Sequence, residues 1–152
     1  MKKKLLCVCS SGGHLDQMLA VLPAPAQYDV VIATFDKSDA IAKVNGYSTY
    51  WLYWPTNRNV KNAIANTFLA IRVVLREKPD LIVSTGAAGA VPFFYVGKVI
   101  GRTKNIFIEC IDRISMPTLT SKLIKPVTDM YVAQWDTQLQ GFSPRVNIGR
   151  SR

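Results

Sequence analysis

Residues 5–22 read LLCVCSSGGHLDQMLAVL, and this stretch decides the fold because it holds a complete strand-to-helix turn. The apolar run at residues 5–9 predicts a buried strand, and residues 16–22 carry the pattern of a short helix. Between them lies a polar corner, residues 10–14, with two adjacent glycines and the chain's sole histidine. A buried strand that leads through a small polar corner into a helix is typical of a parallel α/β sheet.

The same alternation continues along the chain of 152 residues. Further strands are predicted at residues 28–34, 49–54, 81–84, 105–110 and 129–134. Helices are predicted at residues 36–44, 59–77 and 118–125, with Thr118 as a possible cap, and a helix of small residues ends near residue 100. The predicted fold class is therefore α/β, a Rossmann-like open and mostly parallel sheet with helices on both faces. Without a repeat or linker, residues 1–152 are predicted to form one domain.

The helix predicted at residues 59–77 has the strongest periodicity in the chain. Its apolar residues recur at intervals of three and four and form one face, namely Val60, Ile64, Phe68, Ile71 and Leu75. The basic residues Lys61, Arg72 and Arg76 lie off that face.

The composition favours anionic partners without choosing among them. Lys and Arg total 19 against 10 Asp and Glu, a net charge of +9, which suits phosphates, nucleic acid or an acidic membrane surface. The cations are scattered and form no nucleic-acid motif, so nucleic acid is the least favoured partner. Cys7 and Cys9 lie two apart on a strand and are expected to be reduced, which indicates a cytosolic compartment. The longest weakly polar run, residues 86–97, is too short to span a bilayer, so we expect a soluble or peripheral protein.

Two strand-to-helix corners rich in small residues stand out as candidate binding sites. One is residues 10–14, and the other is residues 85–89, Thr-Gly-Ala-Ala-Gly, after the fourth predicted strand. In an open parallel sheet, ligands bind beyond the carboxyl ends of the strands, and glycine lets backbone amides approach an anion closely. Both corners suit a phosphate or diphosphate. The alternative is that the glycines only permit tight turns.

The spacing of the residues does not match several well-defined binding and catalytic motifs. The chain has no G-x-G-x-x-G, no Gly-Lys-Ser/Thr and no G-x-S-x-G motif, and its histidine and cysteines assemble no zinc set. No metal or cofactor is predicted. A free-standing nucleotide-binding module remains an alternative function.

His14 and Glu109 are the candidate catalytic residues. His14 lies where the first corner becomes a helix, so its ring could donate a hydrogen bond to a bound phosphate or accept a proton from a substrate hydroxyl. A capping or packing role is the alternative for this histidine. Glu109 closes an otherwise apolar strand at the edge where active clefts form. Its alternative role is a surface ion pair with Arg113.

Three stretches resemble one glycosyltransferase family. They are SSGGHLDQML at residues 10–19, PDLIVSTGAAGAVP at residues 79–92 and IFIECIDRISMPTLTSKLI at residues 106–124. The family contains the membrane-anchoring subunit of the eukaryotic N-acetylglucosaminyltransferase that adds the second sugar to dolichol diphosphate, together with bacterial capsule and exopolysaccharide homologues. More distantly, the chain is similar to the amino-terminal half of the peptidoglycan lipid I N-acetylglucosaminyltransferase.

The resemblance implies the amino-terminal, acceptor-side half of a GT-B glycosyltransferase. A separate donor-binding chain would hold the UDP-sugar, and the acceptor would be a sugar on a polyprenyl diphosphate at the cytoplasmic face of the cell membrane. The resemblance also implies a set of site residues. The first loop is Ser11, Gly12, Gly13 and His14, the second is Thr85, Gly86, Ala87 and Gly89, and the third motif supplies Glu109 and Arg113.

Two surfaces are expected to serve such a subunit. Candidates for contact with the donor-binding chain are Trp51, Tyr53, Trp54 and Trp135, with burial in the core as the alternative. A membrane-surface patch could be formed by Pro92, Phe93, Phe94 and Tyr95 followed by Lys98, Arg102 and Lys104. The alternative for that stretch is a buried helix with a solvated end.

Overall fold

Six parallel strands form one open sheet in the computed structural model, which describes residues 2–23, 26–112 and 118–139. The strands are β1 (Lys3–Val8), β2 (Tyr28–Thr34), β3 (Ser48–Trp51), β4 (Leu81–Ser84), β5 (Lys104–Ile108) and β6 (Met130–Val132). Their order across the sheet is β3-β2-β1-β4-β5-β6, and each neighbouring pair is parallel. The predicted fold class is confirmed.

Among the described residues, five α-helices cover the two faces of the sheet. They are α1 (Gly13–Val21), α2 (Ser38–Lys43), α3 (Val60–Glu77), α4 (Ala90–Val96) and α5 (Leu119–Ile124). A π-helical turn, Gly97–Gly101, extends α4, and short 3-10 turns lie at Lys125–Val127 and Asp136–Leu139. Buried residues of α1 and α2 belong to one core, and those of α3, α4 and α5 belong to the other.

Strand β1 shows why both faces must be covered. Leu5, Cys7 and Cys9 point into the core with α1 and α2, whereas Leu6 and Val8 point into the core with α3 and α4. A strand that is apolar on both faces is stable only when helices bury both. The thiols of Cys7 and Cys9 are free and lie on the same face, as predicted.

The direction of strand succession reverses between β1 and β4. Val8 of β1 lies opposite Ser84 of β4, so the two strands end level with each other. The corners that follow these strands are therefore neighbours at the carboxyl rim of the sheet, at the switch point where such folds bind ligands. Helix α1 begins at Gly13, three residues before the predicted start, which places His14 in its first turn.

The packed face of α3 is not the face that its periodicity singled out. Asn59 caps the helix by accepting a hydrogen bond from Asn62 N at 3.0 Å. The side chains buried against the sheet are Asn66, Ala70, Val73 and Val74. The apolar stripe instead faces outward: Val60, Ile64, Phe68 and Leu75 are all more than half exposed, and Ile71 is partly buried.

Helix α4 does not expose the two phenylalanine side chains that a membrane-surface patch at residues 92–104 would need. Phe93 and Phe94 are fully buried, and the ring of Phe94 meets that of Phe107 edge-on. The patch is therefore excluded at its two phenylalanines, and the alternative interpretation of a buried helix with a solvated end holds, because this short helix packs between α3 and α5. Thr118 does cap α5, accepting a hydrogen bond from Ser121 N at 3.2 Å. Within the part of the chain that the structure describes, no helix is long and apolar enough to cross a membrane.

Candidate functional site

A polar pocket of about 420 Å³ lies at the carboxyl rim of the sheet, and we call it the rim pocket. The loops after five consecutive strands line it. They contribute Ser10, Ser11 and His14 after β1, Phe35 and Lys37 after β2, Thr56 and Asn57 after β3, Ala87 after β4, and Thr118, Leu119 and Thr120 after β5. Such a convergence of loops is the arrangement by which open α/β sheets build ligand sites.

A larger depression, of about 820 Å³, lies at the opposite edge of the sheet. It is lined by residues at the amino-terminal ends of β1 and β2 and by the turn before β3, including Tyr28, Asp29 and Gly46. We favour the rim pocket in spite of its smaller size, because ligands of parallel α/β sheets bind at the carboxyl ends of the strands.

His14 and Thr85 join the two predicted corners through a pair of hydrogen bonds. His14 Nδ1 lies 2.8 Å from the backbone oxygen of Thr85, and Thr85 Oγ1 donates to the backbone oxygen of His14 at 2.6 Å. Because a carbonyl oxygen only accepts, Nδ1 must carry the proton of this bond. In the neutral ring, the lone pair is then on Nε2, which is the nitrogen left to act on a ligand.

Gly86 makes room for the imidazole. A Cβ atom at this position would lie 2.5 Å from His14 Cε1 and 2.8 Å from Nδ1, which is closer than atoms can approach. The backbone also favours glycine here, since φ is +131° at Gly86 and +84° at the next residue, Ala87. Gly86 therefore positions the ring and is buried, whereas Ala87 lines the rim pocket.

Cys110 also contacts the ring of His14. Its Sγ atom is 3.5 Å from His14 Nδ1, a long contact that competes poorly with the 2.8 Å bond to Thr85. Burial, with a further contribution from Asp112, raises the pKa of the Cys110 thiol to about 11. The thiol is therefore neutral near pH 7 and gives the histidine no anionic neighbour.

The remaining residues of the predicted loops have other surroundings. The amide of Gly12 donates to Asp39 Oδ2 at 3.1 Å, so a carboxylate already occupies the donor that was expected to hold an anion. Gly13 is exposed but does not line the rim pocket. Gly89 is buried and does not line the rim pocket, and a Cβ added there would meet Leu52 at 3.2 Å and Thr56 at 3.5 Å. Arg113 lies outside the described residues.

Glu109 is fully buried and does not line the rim pocket. Its Oε2 accepts hydrogen bonds from Tyr131 Oη at 2.7 Å and from Thr118 N at 3.2 Å, and its Oε1 accepts from Cys110 N at 3.2 Å. Burial, together with this carboxylate, raises the pKa of Tyr131 well above its usual range. Glu109 thereby ties the ends of β5 and β6 to the start of α5, which forms one wall of the pocket.

Sequence reasoning missed the part of the pocket that follows β2 and β3. Lys37 brings positive charge to it, and its ammonium group lies 5.0 Å from the ring centre of Trp54. Thr56 and Asn57 extend the wall toward α3. The signal that could have found them is their position just beyond strand ends, since every such segment of a parallel sheet reaches the same rim.

The chain matches the family model described as "Oligosaccharide biosynthesis protein Alg14 like" over residues 54–150. Two relatives carry the name UDP-N-acetylglucosamine transferase subunit ALG14. The mouse protein is 26% identical, with 97% of this chain and 82% of that protein covered. The Candida albicans protein is 27% identical, with 93% of this chain and 78% of that protein covered.

Solved structures share the fold at low sequence identity. MurG of Acinetobacter baumannii superposes with a TM-score of 0.77 at 16% identity, covering 96% of this chain. UDP-GlcNAc 2-epimerase of Methanocaldococcus jannaschii gives a TM-score of 0.69 at 12% identity, covering 95% of this chain. The chain spans less than half of either protein, 44% of the first and 45% of the second. It therefore corresponds in fold to one half of these two-part molecules.

Proposed function

Because the chain belongs to the Alg14-like family of oligosaccharide biosynthesis proteins, we propose that it is the acceptor-binding subunit of a two-chain inverting glycosyltransferase. In this proposal, a separate chain binds the UDP-sugar. The acceptor is a saccharide on a polyprenyl diphosphate, and the product serves polysaccharide assembly at the cytoplasmic face of the cell membrane. Relatives named as subunits of a UDP-N-acetylglucosamine transferase support the role of a glycosyltransferase subunit.

The observation that carries the proposal is the position of His14 in the rim pocket. Its ring is held between Thr85 and Gly86 with Nδ1 engaged, and the residue lines a pocket that also contains Lys37, Ser10 and Ser11. Neither serine hydroxyl makes a hydrogen bond to another described residue, so both can donate to an anion. A cation and free hydroxyl donors suit a diphosphate, and a fixed imidazole suits proton transfer.

The chemistry assigned to His14 is that of a general base. As the acceptor hydroxyl attacks C1 of the donor sugar, a new C–O bond forms and the bond from C1 to the oxygen of UDP breaks. The hydroxyl proton passes to Nε2 of His14, and UDP leaves with the electron pair of the broken bond. Thr85 O holds Nδ1–H throughout, which stabilises the imidazolium that results. The same Nε2–H could then donate to the acceptor diphosphate.

Glu109 takes a positioning role in this scheme rather than the catalytic role expected from the sequence. Its carboxylate is buried and binds Tyr131, Thr118 and Cys110. Thr118 and the two residues after it line the rim pocket, so Glu109 acts on the site through the wall that it holds.

In this proposal a second chain completes the site, because the rim pocket is built from the segments that follow the strands of a single sheet. Glycosyl transfer requires donor and acceptor aligned at near-attack distance and shielded from water. Trp51, Tyr53 and Trp54 are 40%, 53% and 48% exposed, just before the pocket residues Thr56 and Asn57. We assign this aromatic surface to contact with the donor-binding chain, since aromatic residues are enriched in interfaces.

The outward stripe of α3, namely Val60, Ile64, Phe68 and Leu75, is assigned to the membrane. Along one side of it lie Lys61, Arg72 and Arg76. Lys61 and Arg72 form no salt bridge with any described residue. Apolar side chains flanked by unpaired cations are the pattern of a helix that lies on an anionic bilayer. In this proposal the stripe takes the place of the patch at residues 92–104, which was one of two interpretations of that segment.

Reconstitution tests the proposal. The chain is combined with a candidate UDP-sugar-binding chain from the same organism, a polyprenyl-diphosphate-linked saccharide and a radiolabelled donor, and product is measured with each chain alone and with both. Transfer is expected only with both chains. His14→Ala should lower kcat by a factor of about 10²–10⁴, the usual contribution of a general base. Asn45→Ala, an exposed change at the opposite edge of the sheet, is the control.

Two results would contradict the proposal. Full turnover by this chain alone would rule out the division between two chains, and a His14→Ala variant as active as the parent would remove the histidine from the chemistry. Calorimetry adds a separate check, because tight binding of a UDP-sugar by the isolated chain would indicate a nucleotide-binding module instead.

A further inference from the structure

A third cavity, of about 390 Å³, lies between α3 and α4, and we call it the side groove. Its walls include Ala63 and Thr67 of α3, Val91 and Tyr95 of α4, and Leu123 of α5. The volume falls within the range of about 300–1,000 Å³ that is typical of small-molecule sites.

Three of the four polar side chains along the side groove, those of Asn66, Thr67 and Tyr95, already form hydrogen bonds within the protein. Asn66 accepts from Tyr53 N and donates to Tyr53 O, both at 2.9 Å. Thr67 Oγ1 donates to Ala63 O at 2.8 Å, and Tyr95 Oη donates to Leu123 O at 2.9 Å. The surface that the groove presents to a ligand is therefore mainly apolar, in contrast to the rim pocket with its free hydroxyls and its cation.

The side groove is continuous with the rim pocket at one end. Thr56 lines both, and the consecutive residues Ala87 and Ala88 line the rim pocket and the side groove respectively. The groove also borders the outward stripe. With about 3.6 residues per turn, Ala63 and Thr67 lie between the buried face of α3 and the stripe, while the cations lie beyond the stripe. An apolar path thus joins the polar rim to the surface assigned to the membrane.

We propose that the side groove binds the first isoprene units of the polyprenyl chain whose diphosphate occupies the rim pocket. This inference rests on the proposed function and identifies how its lipid substrate is held. An apolar cavity of about 150 Å³ accommodates a benzene molecule, so the side groove has room for roughly two isoprene units. Beyond them, the chain continues into the bilayer alongside Ile64 and Phe68.

The test is a series of ligands with one head group and increasing chain length. Calorimetry measures the affinity of the full-length protein for each ligand below its critical micelle concentration. The ligands are inorganic diphosphate and dimethylallyl, geranyl, farnesyl and geranylgeranyl diphosphate. We expect affinity to rise by roughly tenfold or more for each of the first two isoprene units, because apolar surface is removed from water, and then to level off.

Substitutions in the protein test where the prenyl chain binds. Ala63→Phe places a ring in the groove, and it should abolish the rise with chain length while leaving the affinity for inorganic diphosphate within twofold of the parent. Ala42→Phe makes the same change at an exposed position of α2 and should preserve the rise. Phe68→Ser, on the stripe, should also preserve the increase in affinity with chain length. That result would show that the increase comes from binding in the groove and not from nonspecific contact with the exposed apolar surface.

The outcomes distinguish the groove from the proposed function. If inorganic diphosphate binds but added isoprene units do not increase the affinity, the groove proposal is overturned and the proposed function is unaffected. If the affinity of Ala63→Phe still increased with the number of isoprene units as in the parent, the prenyl chain would bind elsewhere. That result would also overturn the groove proposal. Failure of every ligand in the series to bind would remove the diphosphate site itself, and with it both proposals.

Discussion

The imidazole of His14 occupies the space that a side chain at position 86 would fill, since a Cβ on Gly86 would lie 2.5 Å from His14 Cε1. The two residues are 72 positions apart in the sequence and meet because β1 and β4 are neighbours whose ends are level. The glycine of the second corner thus acts on the histidine of the first. Its direct contact is with protein rather than with a ligand.

Gly86→Ala should therefore reduce transfer by displacing His14. The added methyl group cannot coexist with the ring, and φ of +131° adds backbone strain of about 1 kcal/mol or more. Gly46→Ala is the matched control, because Gly46 also has a positive φ, of +93°, but faces open space. We expect both variants to lose stability in urea unfolding, with the larger loss for Gly86→Ala because only its methyl group clashes with a buried side chain, and a fall of at least about tenfold in kcat only for Gly86→Ala. Equal activity in the two variants would contradict the steric argument.

Glu109→Gln tests the positioning role of the buried carboxylate. One of its donors, Tyr131 Oη, Thr118 N or Cys110 N, would face an amide NH2 group, at a cost of about 1–3 kcal/mol in the free energy of unfolding. Tyr131→Phe, the companion change, should cost about 1–2 kcal/mol, and the double variant should be less destabilised than the sum of the two.

The kinetic signature of Glu109→Gln distinguishes positioning from catalysis. Because Glu109 acts through the pocket wall at Thr118, we expect a higher KM for the acceptor with little change in kcat or in the pH profile. A loss of about 100-fold in kcat at unchanged acceptor KM would show instead that this carboxyl takes part in the chemistry.

Phe68→Ser should weaken binding to vesicles that contain anionic lipid. Phe68 is 69% exposed on the outward stripe of α3, so the change removes apolar area from the surface that would enter the bilayer. Ile41→Ser, at a 51% exposed position of α2, is the control. Co-sedimentation with vesicles should show a loss of roughly tenfold for Phe68→Ser and none for Ile41→Ser. Equal binding by both variants would place the membrane contact elsewhere.

Stability should fall as pH rises above about 9. Burial, with a smaller contribution from Cys9, raises the pKa of Cys7 far above its usual value of 9.0, and burial raises the pKa of Cys9 to about 12 against partly offsetting hydrogen bonds. Above pH 9, the unfolded thiols lose their protons while the folded ones keep them, so the folded state binds more protons and loses stability with increasing pH. Each thiol contributes a slope of about 1.4 kcal/mol per pH unit.

Urea unfolding at pH 8, 9, 10 and 11 under reducing conditions measures this slope. Cys9→Ala should be less stable than the parent at pH 8, because a buried sulfur is lost, but its stability should decline less steeply above pH 9. Parallel curves for the two proteins would show that the Cys9 thiol is not the group that titrates.

Much of the fold follows from local pattern. Strands β2 and β4 begin and end at the predicted residues, and the caps at Asn59 and Thr118 fall at the predicted helix starts. The rim location of the two corners also follows from the sequence, because parallel strands joined by helices bring all their carboxyl ends to one edge. The roles of Ser11, Gly12 and Gly13 in holding a diphosphate remain predictions.

The sequence by itself determined which segments are strands and helices, because apolar spacing and capping residues act over a few positions of the chain. Only the tertiary structure decided which side of α3 is covered, that Phe93 and Phe94 are buried, and that Glu109 is enclosed by Tyr131 and Thr118. It also decided the tautomer of His14, through a carbonyl 71 residues away. These features depend on contacts between segments far apart in the chain, and periodicity along one segment carries no information about what packs against it.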